Sequence, residues 1–541
     1  MGTSKIKHQK KHFSTLTTET IGKILLKNKL FFYEDIFLFS FIQWNIWIYF
    51  NANSTVKEIQ TNNYRKFTSK VKKIPQTIIE LMIGLFRIQP NEIECLAISP
   101  RATLSIENTV RGPRYLQPLT DYTFEELQKY TKMLALDVCG LGKEVFDPVF
   151  LYRHLKRDVK SVPYSYYISS CRLLRRKMIQ RKVVAFSIDF EKDWTKLVGN
   201  PEFQQEVKRV KKMRPKFSVT QFKLLLKNHF VQKIKEIIYA DYALDRINPK
   251  YLFIVNEYGN MPLIYMARKK GLKTYGLQHG VIHTNHPGYI YPNEFKGQVP
   301  LCDVHFVFGN YERTLLTESS IFDKNQVDVI GNPRMTNLSH HCSVYSHQII
   351  RKQLGISSNK KIILYASSGN YGSATKELFN INDRLFEDFA SLEPEYTLVI
   401  KMHPAETNFT KYHDEAKKYG VTDFILVRDY DLYALLYISD CLLGVISTVM
   451  SEAVAFKKRI IVYSNNVVGN QIEYMKWGVA VSREDYNSLK EAIDFFSLNG
   501  AFKENIDKNR DKFIEQFFYK IDGKSVKRIL SRLDSEMELL A

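Results

Sequence analysis

Apolar and polar positions alternate along this chain with two periods, and residues 251–291 show both. Tyr251–Asn256 and Lys273–Leu277 are short apolar runs typical of buried strands, and Pro262–Ala267 between them suits a helix that begins at a proline. Two strands joined by one helix form a βαβ unit, in which the strands are parallel. The pattern therefore predicts that Glu257 and His279, which follow the two strands, emerge at one edge of a sheet.

Similar apolar runs on both sides of this unit predict two series of strands. The expected strands are Glu94–Ser99, Val183–Asp189, Asp303–Phe308 and Val327–Ile330 in the first series, and Ile362–Ala366, Thr397–Met402, Phe424–Val427, Cys441–Val445 and Arg459–Tyr463 in the second. A chain of 541 residues exceeds what one core usually supports. We therefore expect an α/β fold with Rossmann-like domains at residues 89–345 and 346–541, the second with terminal helices.

Residues 1–88 are expected to form a basic and aromatic helical extension, with an amphipathic helix at 74–87. Its longest apolar run, Ile36–Phe50, has 15 residues and contains Gln43 and Asn45. A membrane-spanning helix needs roughly 20 apolar residues, so spanning is not expected. Trp44 and Trp47 would suit a membrane interface, but a buried core element is the preferred interpretation. No signal-peptide pattern precedes this run.

The composition indicates a localised positive charge and a reducing cellular compartment. The net charge is +21, and residues 1–30 together with 151–220 supply +18 of it. Such surfaces suit an anionic membrane or polymer, or are simply solvated. The basic runs lack aromatic interleaving and no nucleic-acid motif is present, so nucleic acid is not an expected partner. Six scattered cysteines without a CxxC pair favour a reducing cytosol and argue against a structural zinc site.

Candidate functional residues follow the predicted strands. In the first series these are Glu257, Gln278, His279 and Gly280, with Arg334 at a later strand end. A carboxylate and an imidazole at one sheet edge suit acid–base chemistry. Glu257 is the more probable base and His279 is expected to be essential, although His279 would serve as the base if Glu257 does not.

In the second series, small and polar residues follow three strands. Ser367 and Ser368 open a loop whose backbone amides are able to approach a phosphate. His403 and Pro404 follow the next strand. Ser447 and Thr448 begin a helix, and Glu452 lies one turn further along it. A helix amino terminus binds phosphate, and the carboxylate is expected to accept hydrogen bonds from a ribose. Together these residues predict a nucleotide site.

Three of these motifs resemble those of bacterial surface-polysaccharide transferases with the GT-B fold. They are Gln278-His279-Gly280, His403-Pro404-Ala405-Glu406 and Ser447-Thr448 with Glu452. The similar families are the polysialyltransferases and capsule polysaccharide transferases, and the CDP-glycerol glycerophosphotransferases of wall teichoic acid synthesis. The resemblance covers about residues 250–465.

This resemblance implies roles for single residues. His403, Ser447 and Thr448 would contact the phosphates of the donor nucleotide, and His279 would be catalytic. The acidic-acidic-Gly motif of the polysialyltransferases is matched only by Asn256-Glu257-Tyr258-Gly259, which has one acid and an inserted tyrosine. The identity of the base therefore stays open between Glu257 and His279.

The expected function is that of a GT-B glycosyltransferase. It would move a sugar from a nucleotide-activated donor to a cell-surface polysaccharide or a lipid-linked glycan precursor, with no cofactor and no metal. It would work in the cytoplasm, with possible contact between its Lys-rich amino terminus and the inner face of the membrane. One alternative is a phosphotransferase that uses CDP-glycerol or CDP-ribitol to build a wall or capsule polymer. A second is a nucleotide-sugar 2-epimerase, which would need no acceptor.

Overall fold

The structure is a computed structural model of the 541-residue chain. It describes residues 13–51, 93–99, 105–109, 112–118, 120–137, 156–159, 161–335, 338–367, 384–403, 406, 408–445, 448–463, 474–498 and 500–537. The amphipathic helix expected at residues 74–87 lies outside the described residues, as do Ser368, Pro404 and Ser447.

The described part of the amino-terminal extension is a helical layer with its own buried side chains. Helices α1 (Phe13–Lys27) and α2 (Gln43–Asn51) flank a small β-ribbon and a 3₁₀ turn at Leu38–Phe41. Phe37, Leu38 and Phe39 are fully buried and join the main core of the first domain. This burial confirms the preferred interpretation of Ile36–Phe50 as a core element. Burying one such apolar side chain stabilises the folded protein by about 1.5–3 kcal/mol.

The first sheet has seven parallel strands in the order β9-β8-β7-β6-β1-β4-β5. An antiparallel hairpin, β2-β3, stands apart from the sheet. The strands and the helix α3 between them are β1 (Cys95–Ser99), β2 (Ser105–Thr109), β3 (Gly112–Leu116), α3 (Asp121–Tyr130), β4 (Met133–Asp137), β5 (Ser161–Pro163), β6 (Tyr251–Val255), β7 (Lys273–Leu277), β8 (Val304–Val307) and β9 (Val327–Val329).

Between β5 and β6 the chain forms a helical insertion, and here one expectation was wrong. The helices are α4 (Ser165–Leu174), α5 (Arg176–Gly199), α6 (Pro201–Met213) and α7 (Val219–Ile247). Val183–Asp189, expected as a strand, lies inside α5. Ile179, Phe186, Phe190, Trp194 and Leu197 are the buried residues of α5, and their spacing is helical. A seven-residue apolar run does not reveal this period, which needs a longer window. Helices α8 (Met261–Lys269) and α9 (Asn310–Ser319) complete the first domain.

The second sheet has six parallel strands in the order β12-β11-β10-β13-β14-β15. Its elements, with the connecting helices, are α10 (Leu338–Val344), α11 (His347–Leu354), β10 (Lys361–Ala366), β11 (Tyr396–Lys401), α12 (Thr410–Lys418), β12 (Phe424–Val427), α13 (Leu432–Ile438), β13 (Cys441–Gly444), α14 (Thr448–Ala455), β14 (Arg459–Val462), β15 (Val481–Ser482), α15 (Leu489–Leu498) and α16 (Gly500–Phe517). This is the Rossmann order, in which the strand order, not the strand direction, reverses between β10 and β13, and ligands bind at such a switch point.

The last helix, α17 (Ser525–Met537), returns to the first domain. Its Ile529 and Leu533 are fully buried against one face of the first sheet, beside Phe253 and Phe306. The two faces of the second sheet are covered by separate apolar cores. Two Rossmann-like sheets linked in this way form the expected GT-B type of α/β fold. The exact domain boundaries at residues 88 and 345 stay predictions.

Candidate active site

The Gln278-His279-Gly280 turn directly follows β7, and Gln278 holds its shape. The buried Gln278 side chain accepts a hydrogen bond at Oε1 from the Phe308 backbone N–H (2.7 Å). Its Nε2 donates to the Gly280 carbonyl (2.8 Å) and to Glu312 Oε1 (3.2 Å). Gln278 therefore braces the turn against β8 and α9, which fixes the position of the histidine between Gln278 and Gly280.

His279 is a neutral imidazole in this setting. Its burial lowers the pKa of the ring to about 4, because desolvation disfavours the charged form. Its Nε2 lies 3.3 Å from the Tyr258 hydroxyl. Its Nδ1 is buried and has no hydrogen-bond partner among the described residues. An unprotonated imidazole is suited to accept a proton.

Glu257 emerges at the same sheet edge as His279, as expected, but its side chain does not face the cleft. Only 5% of the residue is exposed, and its Oε1 lies 2.7 Å from His305 Nδ1 in β8. Asn256 adopts a left-handed conformation (φ 65°), which redirects the chain after β6. Gly276 of β7 leaves the space that the carboxylate occupies, since an added Cβ there would overlap it. The catalytic role of Glu257 stays a prediction.

His305 contacts Glu257, and the sequence analysis did not identify it as part of the site. It lies in the middle of β8 and is 2% exposed. The available signal was a single polar residue inside the apolar run of a buried strand, where it needs a hydrogen-bonding partner. In the fold that partner is Glu257, 48 residues earlier.

In the second domain, Ser367 and His403 meet at the ends of the adjacent strands β10 and β11. The His403 backbone N–H donates to Ser367 Oγ (2.8 Å), and Ser367 Oγ donates to Glu406 Oε2 (2.5 Å). Glu406, 2% exposed, also accepts from Lys411 Nζ (2.9 Å) and the Tyr412 hydroxyl (3.2 Å). The glutamate of the His-Pro-Ala-Glu motif therefore ties the two strand ends together.

The helix α14 begins at Thr448, after β13, which is separated from the His403 strand β11 by β10. Thr448 is exposed, whereas Glu452 on the same helix is buried and accepts from Arg334 Nη1 (2.9 Å). Burial raises the pKa of Glu452, and the arginine opposes this rise. The Arg334 guanidinium also lies 4.7 Å above the Tyr433 ring. Glu452 therefore forms an ion pair with Arg334, and its expected hydrogen bonds to a ribose stay a prediction.

Lys401, the last residue of β11, is a second group that sequence reasoning missed. Burial lowers the pKa of its amine to about 8. Its Nζ donates to the Met402 carbonyl (3.2 Å), and no carboxylate pairs with it among the described residues. Burial also lowers the pKa of His403, and the nearby Lys401 charge adds to that effect. A lysine at the carboxyl end of an apolar strand, two residues before His403, was the signal available in the sequence.

Side chains of the two domains meet across the cleft. Val281, next to Gly280, packs against the core of the second domain. The backbone N–H of Asn108 in the β2-β3 hairpin donates to Asp431 Oδ2 (2.8 Å), and the Tyr345 hydroxyl donates to the same oxygen (2.8 Å). Asp431 is also the amino-terminal cap of α13. The two domains therefore contact one another beside the His279 turn and at the start of α13.

No group of three or more metal-ligating side chains is present in the described parts of the chain. Within the same residues, no helix has both the length and the hydropathy needed to cross a membrane. The five described cysteines are free thiols.

Comparison with known proteins identifies one family. The family model described as CDP-Glycerol:Poly(glycerophosphate) glycerophosphotransferase matches residues 169–535. A teichoic acid poly(glycerol phosphate) polymerase of Bacillus spizizenii is 28% identical over 197 residues, which is 34% of this chain and 47% of that protein. The chain thus spans about half the length of the curated relative that it matches.

Solved structures with similar folds include two kinds of enzyme. The wall teichoic acid polymerase TagF aligns with a TM-score of 0.46 and 15% identity, over 89% of this chain and 99% of that one. The UDP-GlcNAc 2-epimerase of Neisseria meningitidis bound to UDP-GlcNAc aligns with a TM-score of 0.47 and 14% identity, over 82% of this chain and 100% of that one. These scores do not distinguish between the two activities. The expected resemblance to glycerophosphotransferases is confirmed by the family match, and the resemblance to polysialyltransferases stays a prediction.

Proposed function

Because the chain belongs to the CDP-glycerol:poly(glycerophosphate) glycerophosphotransferase family, we propose that it transfers an alditol phosphate from a CDP-alditol donor to a hydroxyl of a wall or capsule polymer. The expected transferase class is confirmed by the family. The family favours the phosphotransferase alternative over the sugar transfer that we expected first. Sugar transfer and 2-epimerisation are retained as outcomes of the test below.

The proposed reaction is a displacement at phosphorus. The acceptor oxygen forms a bond to the phosphorus that bears the alditol, and the bond from that phosphorus to the bridging oxygen breaks, which releases CMP. His279 takes the proton of the acceptor hydroxyl. In this proposal Lys401, the His403 ring and the start of α14 offset the negative charge on the donor phosphates.

The observation that carries this proposal is the division of charge across the cleft. The turn of the first domain holds a neutral histidine with an uncommitted Nδ1. The end of β11 in the second domain holds Lys401, whose amine has no carboxylate partner among the described residues. A base on one domain and a cation on the other are what a transfer from an anionic donor to a neutral hydroxyl requires.

The test is a donor panel with the full chain, using CDP-glycerol, CDP-ribitol, CMP-sialic acid and UDP-GlcNAc with a glycerol phosphate oligomer as acceptor. Chromatography would follow the released nucleotide. We expect acceptor-dependent release of CMP from a CDP-alditol and none with the His279→Gln variant. Release of nucleotide only from a sugar donor would overturn the proposal in favour of a glycosyltransferase. Acceptor-independent conversion of UDP-GlcNAc to its epimer would indicate an isomerase.

We further propose that the chain works at an anionic membrane surface and that α4 and α5 provide the contact. Residues 165–188 contain six Lys or Arg and no Asp or Glu. Lys177, Arg181, Val184 and Ile188 recur at three- and four-residue intervals and are all exposed, so they form one outward stripe of α5. Val184 and Ile188 are 59% and 56% exposed. Cations beside exposed apolar side chains are typical of an interfacial helix.

The Lys-rich amino terminus was the contact expected first. Its residues 1–12 lie outside the described residues, and two of its described lysines are engaged in ion pairs, Lys23 with Glu294 and Lys27 with Glu202. These pairs reduce the net charge that this part of the extension offers to lipid.

Vesicle flotation would test the membrane contact. We expect binding to phosphatidylglycerol vesicles, weaker binding at high salt, and none to phosphatidylcholine vesicles. The double variant Val184→Asp/Ile188→Asp should lose binding, whereas the control Ile349→Asp, at an equally exposed apolar position of α11, should retain it. Equal binding by the double variant and the wild type would contradict the α5 contact.

A further inference from the structure

Glu312 is a buried acid in the first turn of α9, in contact with the turn that carries His279. It is 3% exposed, and its Oε1 accepts a hydrogen bond from Gln278 Nε2 (3.2 Å). An acid in the first turn of a helix is usually solvated, and the helix dipole favours its charge. Here burial raises the pKa of Glu312 to about 8, so desolvation outweighs the dipole. At pH 7 Glu312 is therefore mostly a neutral acid.

The hydrogen bonds of Gln278 show what Glu312 contributes. The Gln278 amide has one carbonyl, which accepts from the Phe308 backbone N–H (2.7 Å), and two N–H groups on Nε2. Nε2 has two acceptors, the Gly280 carbonyl (2.8 Å) and Glu312 Oε1. Gln278 is buried, so without Glu312 one of its N–H groups would lose its acceptor, which is costly inside a protein. Glu312 therefore holds the amide orientation that shapes the turn.

The start of α9 is in turn fixed to the second domain. Gly309, the residue before α9, lies so close to the end of α16 that an added Cβ would overlap the Gln516 carbonyl. Asn310 Nδ2 donates to the Glu515 carbonyl (3.2 Å). Phe517, at the same end of α16, belongs to the apolar core of the second domain. The helical turn that contains Glu312 is thus clamped by a helix of the other domain.

We propose that Glu312 is a positioning residue, which acts through Gln278 to hold the His279 turn and is itself seated by α16 of the second domain. It does not touch the reacting atoms. Its effect on turnover rests on the proposed function, whereas its coupling to Gln278 in the stability of the fold does not. An acid that only stabilised α9 would act independently of Gln278.

A double-mutant cycle in the full chain tests the coupling, with Glu312→Leu, Gln278→Leu and the double variant. Urea unfolding followed by circular dichroism gives the midpoints, and CMP release gives kcat and KM. We expect kcat to fall roughly tenfold in Glu312→Leu, as for the loss of one hydrogen bond, with KM for the donor unchanged. The double variant should turn over no more slowly than Gln278→Leu, and its midpoint should lie above the value that two additive losses would give.

Two controls separate positioning from stability. Glu312→Gln keeps an acceptor oxygen in a neutral side chain and should recover most of the turnover that Glu312→Leu loses. Leu316→Ala truncates a fully buried side chain one turn further along α9. It should lower the urea midpoint more than Glu312→Leu does, because it leaves a cavity, while the kcat of the folded protein stays at the wild-type value.

Gly309→Ala tests the clamp by α16. The backbone of Gly309 is extended (φ −138°), which any residue adopts, so the added methyl group would act only through its overlap with Gln516. We expect a fall in kcat like that of Glu312→Leu, and little further loss when the two substitutions are combined. Asn310→Ala removes the hydrogen bond to Glu515 without crowding, and it takes the place of Gly309→Ala if that variant does not fold.

Three results would overturn the proposal: additive losses of midpoint in the cycle, wild-type turnover in Glu312→Leu, or a fall in kcat in Leu316→Ala as large as that in Glu312→Leu. If the donor panel identifies another donor, turnover in the same cycle would be measured with that donor. Coupled midpoints together with an unexpected donor would support the role of Glu312 and refute only the proposed function.

Discussion

The two halves of the cleft follow the same plan and end with different chemistry. Each half offers a carboxylate that looks functional in the sequence, Glu257 in the first domain and Glu452 in the second. In the fold each carboxylate is buried and paired with a basic side chain, Glu257 with His305 and Glu452 with Arg334. Each pair engages one carboxylate oxygen, while Glu257 Oε2 and Glu452 Oε2 are buried without a hydrogen-bond partner among the described residues. Because both carboxylates are buried and paired in this way, the proposed chemistry rests on other residues.

These remaining residues differ between the halves. In the first domain the remaining group is His279, which is neutral because burial lowers its pKa to about 4. In the second domain it is Lys401, whose pKa is lowered only to about 8 and which is therefore largely charged at pH 7. In the proposed function, the first half would serve proton transfer and the second would bind an anion. Pairing within the fold, more than residue type, decides which group is free to react.

The largest expected effect tests this division in the first half. His279→Gln should reduce turnover by about 10²–10⁴-fold, the usual contribution of a general base, while the affinity for CDP stays close to that of the wild type. Turnover would be measured by CMP release and affinity by calorimetry.

Glu257→Gln is the matched variant in the same half. It replaces the buried carboxylate that contacts His305 Nδ1 with an amide and should lower the free energy of unfolding by about 1–3 kcal/mol, while the folded protein keeps most of its turnover. A loss of turnover with no loss of stability would instead restore Glu257 as the base.

The next effect concerns the pair in the second half. Arg334→Met leaves the buried Glu452 carboxylate without its cation, which typically costs about 3–5 kcal/mol of unfolding free energy. Urea unfolding followed by circular dichroism would measure the loss. The double variant Arg334→Met/Glu452→Leu should recover part of it, because neither charge is then buried alone. If the single variant is as stable as the wild type, the pair is not a structural element and Arg334 is available to the donor.

The sequence predicted the positions of these residues better than their contacts. The strand ends before Glu257, His279 and His403 were found because an apolar run followed by turn residues marks the edge of a parallel sheet. The direction of the Glu257 side chain was not predictable, since it depends on the left-handed backbone of Asn256 and on the missing side chain of Gly276.

Long-range pairs were also beyond a sequence pattern. Arg334 and Glu452 are 118 residues apart, and periodicity within one element carries no information about such a partner. The assignment of Val183–Asp189 as a strand failed for a local reason, because its apolar run is shorter than the window in which the helical period of α5 becomes visible.

A smaller effect is expected at His403. Its ring lies at the end of β11 and is neutral, since burial lowers its pKa, so it would offer the donor phosphate an uncharged N–H. His403→Ala should weaken CDP binding by about 1.5–3 kcal/mol, or roughly ten- to a hundredfold, as measured by calorimetry. His413→Ala, at an exposed histidine of α12 in the same domain, is the control and should leave the affinity unchanged. Equal affinity of the His403 variant and the control would remove His403 from the nucleotide site.

The smallest expected effect is a pH dependence of CDP binding. It tests the contrast between the neutral His279 in the first half of the cleft and the charged Lys401 in the second. Lys401 is charged below its pKa of about 8 and loses its charge as the pH rises above that value. If it binds the donor phosphate, the phosphate favours the charged amine, so the affinity for CDP should be constant below pH 7.5 and fall by up to about tenfold by pH 9. The phosphate groups titrate near pH 6, below this window.

The Lys401→Met variant should bind CDP more weakly at pH 7, and its affinity should not change between pH 7 and 9. Lys361→Met, at the opposite end of the neighbouring strand β10, should retain the wild-type profile. A wild-type affinity that does not change between pH 7 and 9 would show that the Lys401 charge does not reach the donor, and the second half of the cleft would then rely on backbone N–H groups and His403 alone.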